Sequence, residues 1–251
     1  MKTRLASLAL ALLALAPSAF AAAPAGFKEI FNGKDLTGWA GLEFWSVKDG
    51  AIVGRTTAEK PTKGNTFLVY QAGQPANFEL RATFRLTGQN DKGFANSGIQ
   101  YRSHIVDAAG FVVGGYQADM DLGAKYTGML YEEKGRGILM GPGEKIRIGE
   151  TTTVPDTKKK DATKKKTAVE KLPGATPAAE ILAAYKVGDW NEIVIIAEGN
   201  HLRHYINGKL SADVTDTDPT LGAKSGVLAL QLHAGQPMTV EFKQLYLKTL
   251  P

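Results

Sequence analysis

Residues 96–103 read NSGIQYRS, residues 115–121 read GYQADMD, and residues 127–133 read TGMLYEE. In each stretch apolar and polar side chains alternate with a period of two, which is typical of a strand with one buried face. The polar positions hold Gln, Arg, Asp and Glu instead of the Lys, Thr and Ser that usually cover a solvated strand. Because such side chains bind sugars or move protons, these stretches predict both a sheet and a functional surface on it.

The same periodicity continues through the rest of the chain. Residues 78–86 (FELRATFRL) alternate apolar with polar side chains, and the pair Asn207-Gly208 is a strong signal for a hairpin turn. Residues 176–185 combine a capping Thr, a Pro and good helix formers, which predicts one short helix. About a dozen strands with regularly spaced turns indicate an all-β fold, an antiparallel β-sandwich or jelly roll.

The N-terminus carries the pattern of a secretory signal peptide. Basic Lys2 and Arg4 precede an apolar run, and small residues around position 21 form a cleavage site. We therefore expect residues 1–21 to be a signal peptide, residues 22–251 to form a single domain, and the protein to be periplasmic or secreted. No other stretch is long and apolar enough for a membrane span, so no membrane insertion is predicted. The sequence has no cysteine, which leaves stability to the apolar core.

Positive charge is concentrated in one insertion. The formal net charge is +5, but residues 151–173 are rich in Lys, Thr and Pro, and outside this segment and the signal peptide the chain is close to neutral. We expect the insertion to be a mobile surface loop, because it has few apolar residues and blocks of charge. No basic stripe is visible in the remainder, so a nucleic-acid partner is not predicted.

Candidate site residues come in pairs that share a strand face. Gln100 and Arg102 lie two residues apart, as do Gln117 and Asp119, and Gln231 and His233, so each pair points to one side of its strand. If these strands are neighbours, the side chains converge on one concave surface. Asp119 with Glu132 or Glu133 could then supply the two carboxyl groups that glycosidic cleavage needs.

Other known catalytic motifs are excluded, because the residues or spacings that they require are not present in the sequence. The Gly-rich residues 135–149 are not followed by the Ser or Thr and the helix of a phosphate-binding loop. The four histidines lack zinc spacing, and no Gly-x-Ser-x-Gly motif is present. Neither a cofactor nor a metal site is predicted.

Several motifs, taken in order, resemble one known family. They include GFKEIFNGKDLTGW at 26–39, NSGI at 96–99, GYQ at 115–117, TGMLY at 127–131 and HYING at 204–208. The chain resembles the 3-keto-disaccharide hydrolases, first described as a domain of unknown function, over essentially its whole mature length. The resemblance implies a concanavalin- or laminin-G-like jelly roll. It also implies cleavage of 3-keto-glycosides, since related members are described as hydrolases and as eliminating lyases.

The resemblance supplies a mechanism and candidate roles. A ketone at C3 acidifies the C2 proton, so a base can remove it, the C1 oxygen can leave, and water can add back. Asp119 or His233 would be the base and Glu132 the acid. Arg102 with Gln100 or Gln117 would contact the enolate and the hydroxyl groups. The remaining predicted substrate contacts are Arg136, His204 and Gln231.

A second reading makes the same surface a carbohydrate-binding module without catalysis, because a fold alone does not decide function. Sugar-binding faces usually offer exposed aromatic rings. Here Tyr101, Tyr116 and Tyr131 fall on the apolar phase of their strands and are expected in the core. The ionisable polar phase favours an enzyme acting on a small-molecule carbohydrate.

Overall fold

The computed structural model describes residues 23–156 and 162–251, so the expected signal peptide at residues 1–21 lies outside the described residues. The strands and the α-helix follow in chain order: β1 Lys28–Glu29, β2 Trp39–Ala40, β3 Trp45–Lys48, β4 Ala51–Arg55, β5 Thr66–Tyr70, β6 Phe78–Gly88, β7 Asn96–Asp107, β8 Val112–Asp121, β9 Leu130–Glu133, β10 Gly137–Met140, β11 Glu144–Pro155, β12 Thr163–Lys171, α1 Ala178–Ala184, β13 Asn191–Glu198, β14 His201–Ile206, β15 Lys209–Asp216, β16 Val227–Leu232 and β17 Met238–Thr249.

The strands form two sheets that pack as a sandwich, which confirms the predicted all-β jelly-roll class. The larger sheet runs β12-β11-β15-β14-β13-β6-β17-β4-β3, with β1 added to β17. The smaller sheet runs β10-β9-β8-β7-β16-β5-β2. Strands β11 and β15 pair in parallel, whereas the other pairs of the described chain are antiparallel.

The core lies between the sheets and follows the predicted period. In β6 the side chains of Phe78, Leu80, Ala82 and Phe84 are almost completely buried, while the alternating polar residues between them are partly exposed. From the smaller sheet, Tyr101 meets Phe78 with ring centroids 6.0 Å apart. Alternation along these strands therefore fixes which face each sheet turns inward.

The smaller sheet also has a partly covered outer face. At one end Phe67, Val69, Val113, Val227 and Ala229 form a separate apolar cluster, against which Phe111 packs. Polar side chains occupy the same face at the other end. The outer face is thus divided into an apolar half and a polar half, and the polar half holds the candidate site.

The predicted short helix is present as α1. Its buried residue, Ile181, anchors it, and Tyr185 at its C-cap stacks on Phe84, with ring centroids 6.3 Å apart. No helix of the described residues is long and apolar enough to cross a membrane.

The insertion at residues 151–173 differs from expectation, because most of its described part is a β-hairpin rather than a loop. Strands β11 and β12 pair from Ile146 with Lys171 to Pro155 with Thr163. β12 is exposed along nearly all its length. An edge hairpin needs no apolar core of its own, because its Thr and Lys side chains stay in water while the backbone pairs with β11. Arg147 and Glu170 add an ion pair across the hairpin.

Candidate functional site

The polar half of the smaller sheet forms a cleft of about 200 Å³. Strand β8 supplies Gln117 and Asp119, and the adjacent strands and loops supply the other side chains. The polar and aromatic lining residues are Asn65, Asn96, Gln117, Asp119, Tyr126, Tyr131, Glu133, Gln231 and His233.

Asp119 lies at the buried floor of this cleft and is 3% exposed. Its Oδ1 accepts a hydrogen bond from Asn96 Nδ2 at 2.9 Å, and its Oδ2 accepts one from Gln117 Nε2 at 2.9 Å. Desolvation outweighs these bonds, and the charges of Asp121 and Glu133 act in the same direction, so the pKa of Asp119 is raised to about 8. The raised pKa favours the protonated carboxyl group near pH 7.

A chain of amides links Asp119 to a second carboxyl group. Gln231 Nε2 donates to Gln117 Oε1 at 2.9 Å and to Glu133 Oε2 at 3.3 Å. Asn65 Nδ2 also donates to Glu133 Oε2, at 3.2 Å. The two carboxyl groups are thus held on one face by hydrogen bonds, so the site is organised before any ligand arrives.

His233 stands at the mouth of the cleft. Its Nδ1 lies 2.5 Å from the carbonyl oxygen of Ala234. Since a carbonyl oxygen only accepts, Nδ1 carries a proton, and in the neutral ring the lone pair is therefore on Nε2. The ring also meets Phe94 edge-on, with centroids 5.4 Å apart. His233 is therefore a partly exposed base in a defined orientation.

Two tyrosines line the cleft, which corrects one expectation. Tyr101 and Tyr116 are buried in the core as predicted, but Tyr131 faces the cleft, because its backbone pairs with Gln117 and shares that residue's face. Burial, with the charges of Glu133 and Asp119, raises the pKa of Tyr131. Its hydroxyl consequently stays protonated and can donate a hydrogen bond.

Of the predicted site residues, Gln117, Asp119, Gln231 and His233 converge on the cleft. Gln100 lies on the same face just beneath it, with its side-chain amide 2.7 Å from that of Gln117. It is completely buried. Gln117 and Asp119 thus share a face, as do Gln231 and His233, which agrees with their spacing of two residues.

Arg102 does not join the cleft. Pairing between β7 and β8 is interrupted after Tyr101, and Arg102 has a φ of 46°. This bulge reverses the expected alternation. The guanidinium instead donates to the carbonyl oxygens of Ala76, Gly199 and Ala223 at 2.7–3.3 Å. Arg102 therefore ties loops together.

Glu132 and Arg136 are also absent from the cleft. Glu132 pairs with Tyr116 across the strands and turns inward, where Arg136 Nε and Nη2 donate to its two carboxylate oxygens at 2.7 and 3.0 Å. Arg136 Nη2 also donates to Asp216 Oδ2 at 2.7 Å. Glu133, on the opposite phase, takes the place in the cleft that was expected for Glu132.

His204 lies between the two sheets rather than at the cleft. Its Nε2 is 2.8 Å from the hydroxyl of Tyr101, and burial lowers its pKa to about 4. A neutral, enclosed imidazole of this kind has no route to a ligand, so its predicted substrate contact is wrong.

Sequence reasoning missed three polar residues of the cleft, Asn65, Asn96 and Tyr126, and left Glu133 as an alternative to Glu132. Asn96 shares the phase of Gln100, and Glu133 shares that of Tyr131, so both follow from alternation once the register is known. Asn65 and Tyr126 lie outside the strands, where no periodicity marks them. Within the described ranges, no group of three or more His, Asp or Glu residues could hold a metal ion.

Fold and cleft together define a jelly-roll β-sandwich with a carbohydrate-related function. Residues 26–248 match the family described as the 3-keto-alpha-glucoside-1,2-lyase-like domain, and the chain belongs to that family. This confirms the resemblance found in the sequence. The search of curated proteins found no match.

Solved structures share the fold at low sequence identity. Two crystal structures of a "putative glycosyl hydrolase" from Parabacteroides distasonis align with TM-scores of 0.51 and 0.52, at 19% and 16% identity. They cover 90% and 89% of this chain, and 94% and 99% of their own. The carbohydrate-binding module CBM66 from Bacillus subtilis aligns with a TM-score of 0.50 at 16% identity, over 85% of this chain and 96% of its own.

Proposed function

We propose that the protein cleaves the glycosidic bond of 3-keto-glycosides, including 3-keto-disaccharides, by elimination followed by hydration. The observation that carries the proposal is the pairing of a neutral acid with a base in one cleft: Asp119, with its pKa raised to about 8, and His233, with a free Nε2. Membership of a 3-keto-glucoside lyase-like family supports the same chemistry.

The reaction needs one group to take a proton and another to give one. His233 Nε2 removes the proton from C2, which the ketone at C3 acidifies, and the C1–O bond breaks as a C1=C2 double bond forms. Asp119 gives its proton to the departing glycosidic oxygen. Water then adds across the double bond, placing OH on C1 and H on C2, and restores a 3-keto sugar.

The roles differ from those expected from the sequence. Glu132 cannot be the acid, because both its carboxylate oxygens are bound to buried Arg136. Asp119 takes that role because it is protonated at neutral pH, and the base is then His233. The neutral hydroxyl of Tyr131 can donate to the enolate oxygen, and Glu133 can accept from a sugar hydroxyl.

Turnover of matched sugars tests the class of reaction. We expect the mature protein to cleave 3-keto-trehalose or 3-keto-lactose and to leave the unoxidised sugars intact. In D₂O, elimination and hydration place deuterium at C2 of the released 3-keto sugar, whereas direct displacement at C1 leaves that position protiated. Cleavage of the unoxidised sugars at the same rate, or product without deuterium, would contradict the proposal.

Variants test the roles of the two groups. Asp119→Asn should lower kcat by about 10² to 10⁴ while the keto sugar still binds. The matched control is Asp107→Asn, since Asp107 is exposed and caps the backbone of Ala109. His233→Gln should lower kcat by a similar factor. In the wild type, kcat/KM should fall above about pH 8, where Asp119 ionises.

A carbohydrate-binding module remains the second candidate, favoured by Tyr126 and Tyr131 at the cleft and by the likeness of the fold to a binding module. The turnover assay separates the two functions, because a module would bind the keto sugar and release it unchanged.

We also propose that the protein is exported through residues 1–21. N-terminal sequencing of the protein from the periplasm or medium should then begin near residue 22.

A further inference from the structure

A second hollow, larger than the cleft, adjoins it on the outer face of the smaller sheet. Its volume is about 470 Å³, and its lining includes Lys92, Phe94, Asp121, Gly123, Gly235 and Gln236. None of these residues was a predicted site residue. The mechanism proposed above uses none of them either.

The hollow and the cleft share a wall. Phe94 meets the His233 ring with its centroid 5.4 Å away. Asp121 follows Asp119 by two residues on β8, and its backbone pairs with Asn96, a cleft residue. The charge of Asp121 also helps to raise the pKa of Asp119. The hollow therefore lies next to the place where a sugar ring between Asp119 and His233 would sit.

The chemistry of the hollow differs from that of the cleft. Its lining includes the half-buried Phe94 ring and glycines that present only backbone, Gly93, Gly123 and Gly235. Lys92, Asp121 and Gln236 add charged and amide groups to the same lining. A lining that combines an aromatic ring with polar groups suits a ring that has one apolar face and hydroxyl groups around it.

The Asn90 side chain helps to hold the loops that carry the lining of the hollow. Asn90 Nδ2 donates to the carbonyl oxygens of Phe94 and Pro237 at 2.8 and 2.9 Å. Its Oδ1 accepts from the backbone N–H groups of Lys92 and Phe94 at 3.1 and 3.0 Å. Three of these bonds lie within the loop before β7, and the bond to Pro237 joins that loop to the loop before β17, so the hollow is formed without a ligand.

We infer that this hollow binds the leaving group of the substrate, a second ring with an apolar face, and sets the preference for that group. The inference rests on the proposed function. It places the 3-keto ring over Asp119 and His233 and the departing ring on Phe94. A second sugar and a phenolic aglycone both supply such a ring, since they share the apolar face that Phe94 would contact.

Three substrates with the same keto ring test the inference: a 3-keto-disaccharide, p-nitrophenyl 3-keto-glucoside and methyl 3-keto-glucoside. The blocking variant is Gly123→Leu. A Cβ on Gly123 would have only the Asp121 carboxylate as a neighbour, at 3.4 Å, so the leucine has room and fills the hollow. We expect kcat/KM for a ring-bearing substrate to fall about tenfold or more, and that for the methyl glycoside to change less than about twofold.

The matched control is Gly141→Leu, at a turn outside both sites, where a Cβ would be 3.7 Å from the Glu144 carboxylate. It should leave all three substrates unchanged. A second variant, Phe94→Leu, keeps an apolar side chain beside His233 and removes the flat ring. It should lower kcat/KM for ring-bearing substrates by about threefold to tenfold.

The outcomes are distinguishable. Loss for both ring-bearing substrates supports the inference, and loss for only one identifies a sugar or a phenol as the preferred leaving group. Equal effects on all three substrates would overturn the leaving-group site and leave the proposed function standing. If the wild type turns over none of the three, the proposed function and the inference both fall.

Discussion

Gln117 lies directly over Gly98 of the neighbouring strand, and a Cβ on Gly98 would come within 2.5 Å of the Cγ and Cδ atoms of Gln117. The missing side chain at Gly98 is what lets the Gln117 amide reach Asp119 and Gln231. Gly98→Ala should therefore displace Gln117 and lower kcat/KM on a keto sugar by about tenfold or more. The cost in the free energy of unfolding should be about 1–3 kcal/mol.

Paired kinetics and thermal melts check this prediction, with Gly141→Ala as the control, because a Cβ there would make only ordinary contacts. Wild-type kinetics in a folded Gly98→Ala variant would show that the position of Gln117 does not matter for turnover.

Asp119 should destabilise the protein while serving the reaction. Its pKa is about 8 in the folded state, whereas the reference value of 3.8 for an exposed group applies to the unfolded chain. Between these pH values the unfolded chain has lost the proton and the folded chain retains it, so the free energy of unfolding falls as pH rises. Asn does not ionise, and like a neutral carboxyl group it combines an acceptor oxygen with a donor group on the other side.

Asp119→Asn should thus have a higher Tm than the wild type at pH 8, and the difference should shrink toward pH 4. Melts across this range measure it, with Asp107→Asn as the exposed control. A variant less stable than the wild type at every pH would mean that Asp119 is ionised in the folded protein.

Alternation along the strands predicted the fold and about half of the site residues. A β-bulge and a difference of one residue in register account for most of the site residues that were not predicted correctly. Gln117, Asp119 and Gln231 lie where their phase puts them, because the strands that carry them are regular at those points. Arg102 follows a bulge, which no periodicity signals. Glu132 and Glu133 differ by one position, so the choice between core and cleft depends on a register that tertiary pairing sets.

Neighbouring Glu132 and Glu133 should have opposite roles in stability and activity. Glu132→Gln weakens buried charged hydrogen bonds to Arg136 and should cost about 1–3 kcal/mol in the free energy of unfolding, with kcat/KM of the folded fraction nearly unchanged. Glu133→Gln should leave Tm nearly unchanged and lower kcat/KM by about tenfold, because a charged acceptor for the sugar is lost.

The pH dependence of kcat/KM is an independent test of the role of Glu133. Its charge helps to raise the pKa of Asp119, so in Glu133→Gln the fall of kcat/KM at alkaline pH should begin at a lower pH than in the wild type. Loss of activity in Glu132→Gln without loss of stability would return the acid role to Glu132.

The tip of the Lys-rich hairpin should be dispensable for stability. Thr152 pairs with Lys166 near the tip, and every described residue between them is exposed or half-exposed. Replacing residues 153–165 by Asn-Gly, the favoured two-residue hairpin turn, should therefore change Tm by only about 2 °C. The base of the hairpin is different, because Ile146 and Ile148 of β11 are buried in the core.

Ile148→Ala is the contrasting variant and should cost about 2–5 kcal/mol, as expected for truncating a buried Ile. Thermal melts of the two variants, with keto-sugar turnover as a second measurement, separate the tip from the base. A large loss of Tm on shortening would show that the tip packs on the domain. Lost turnover at unchanged Tm would instead give the Lys-rich tip a part in substrate binding.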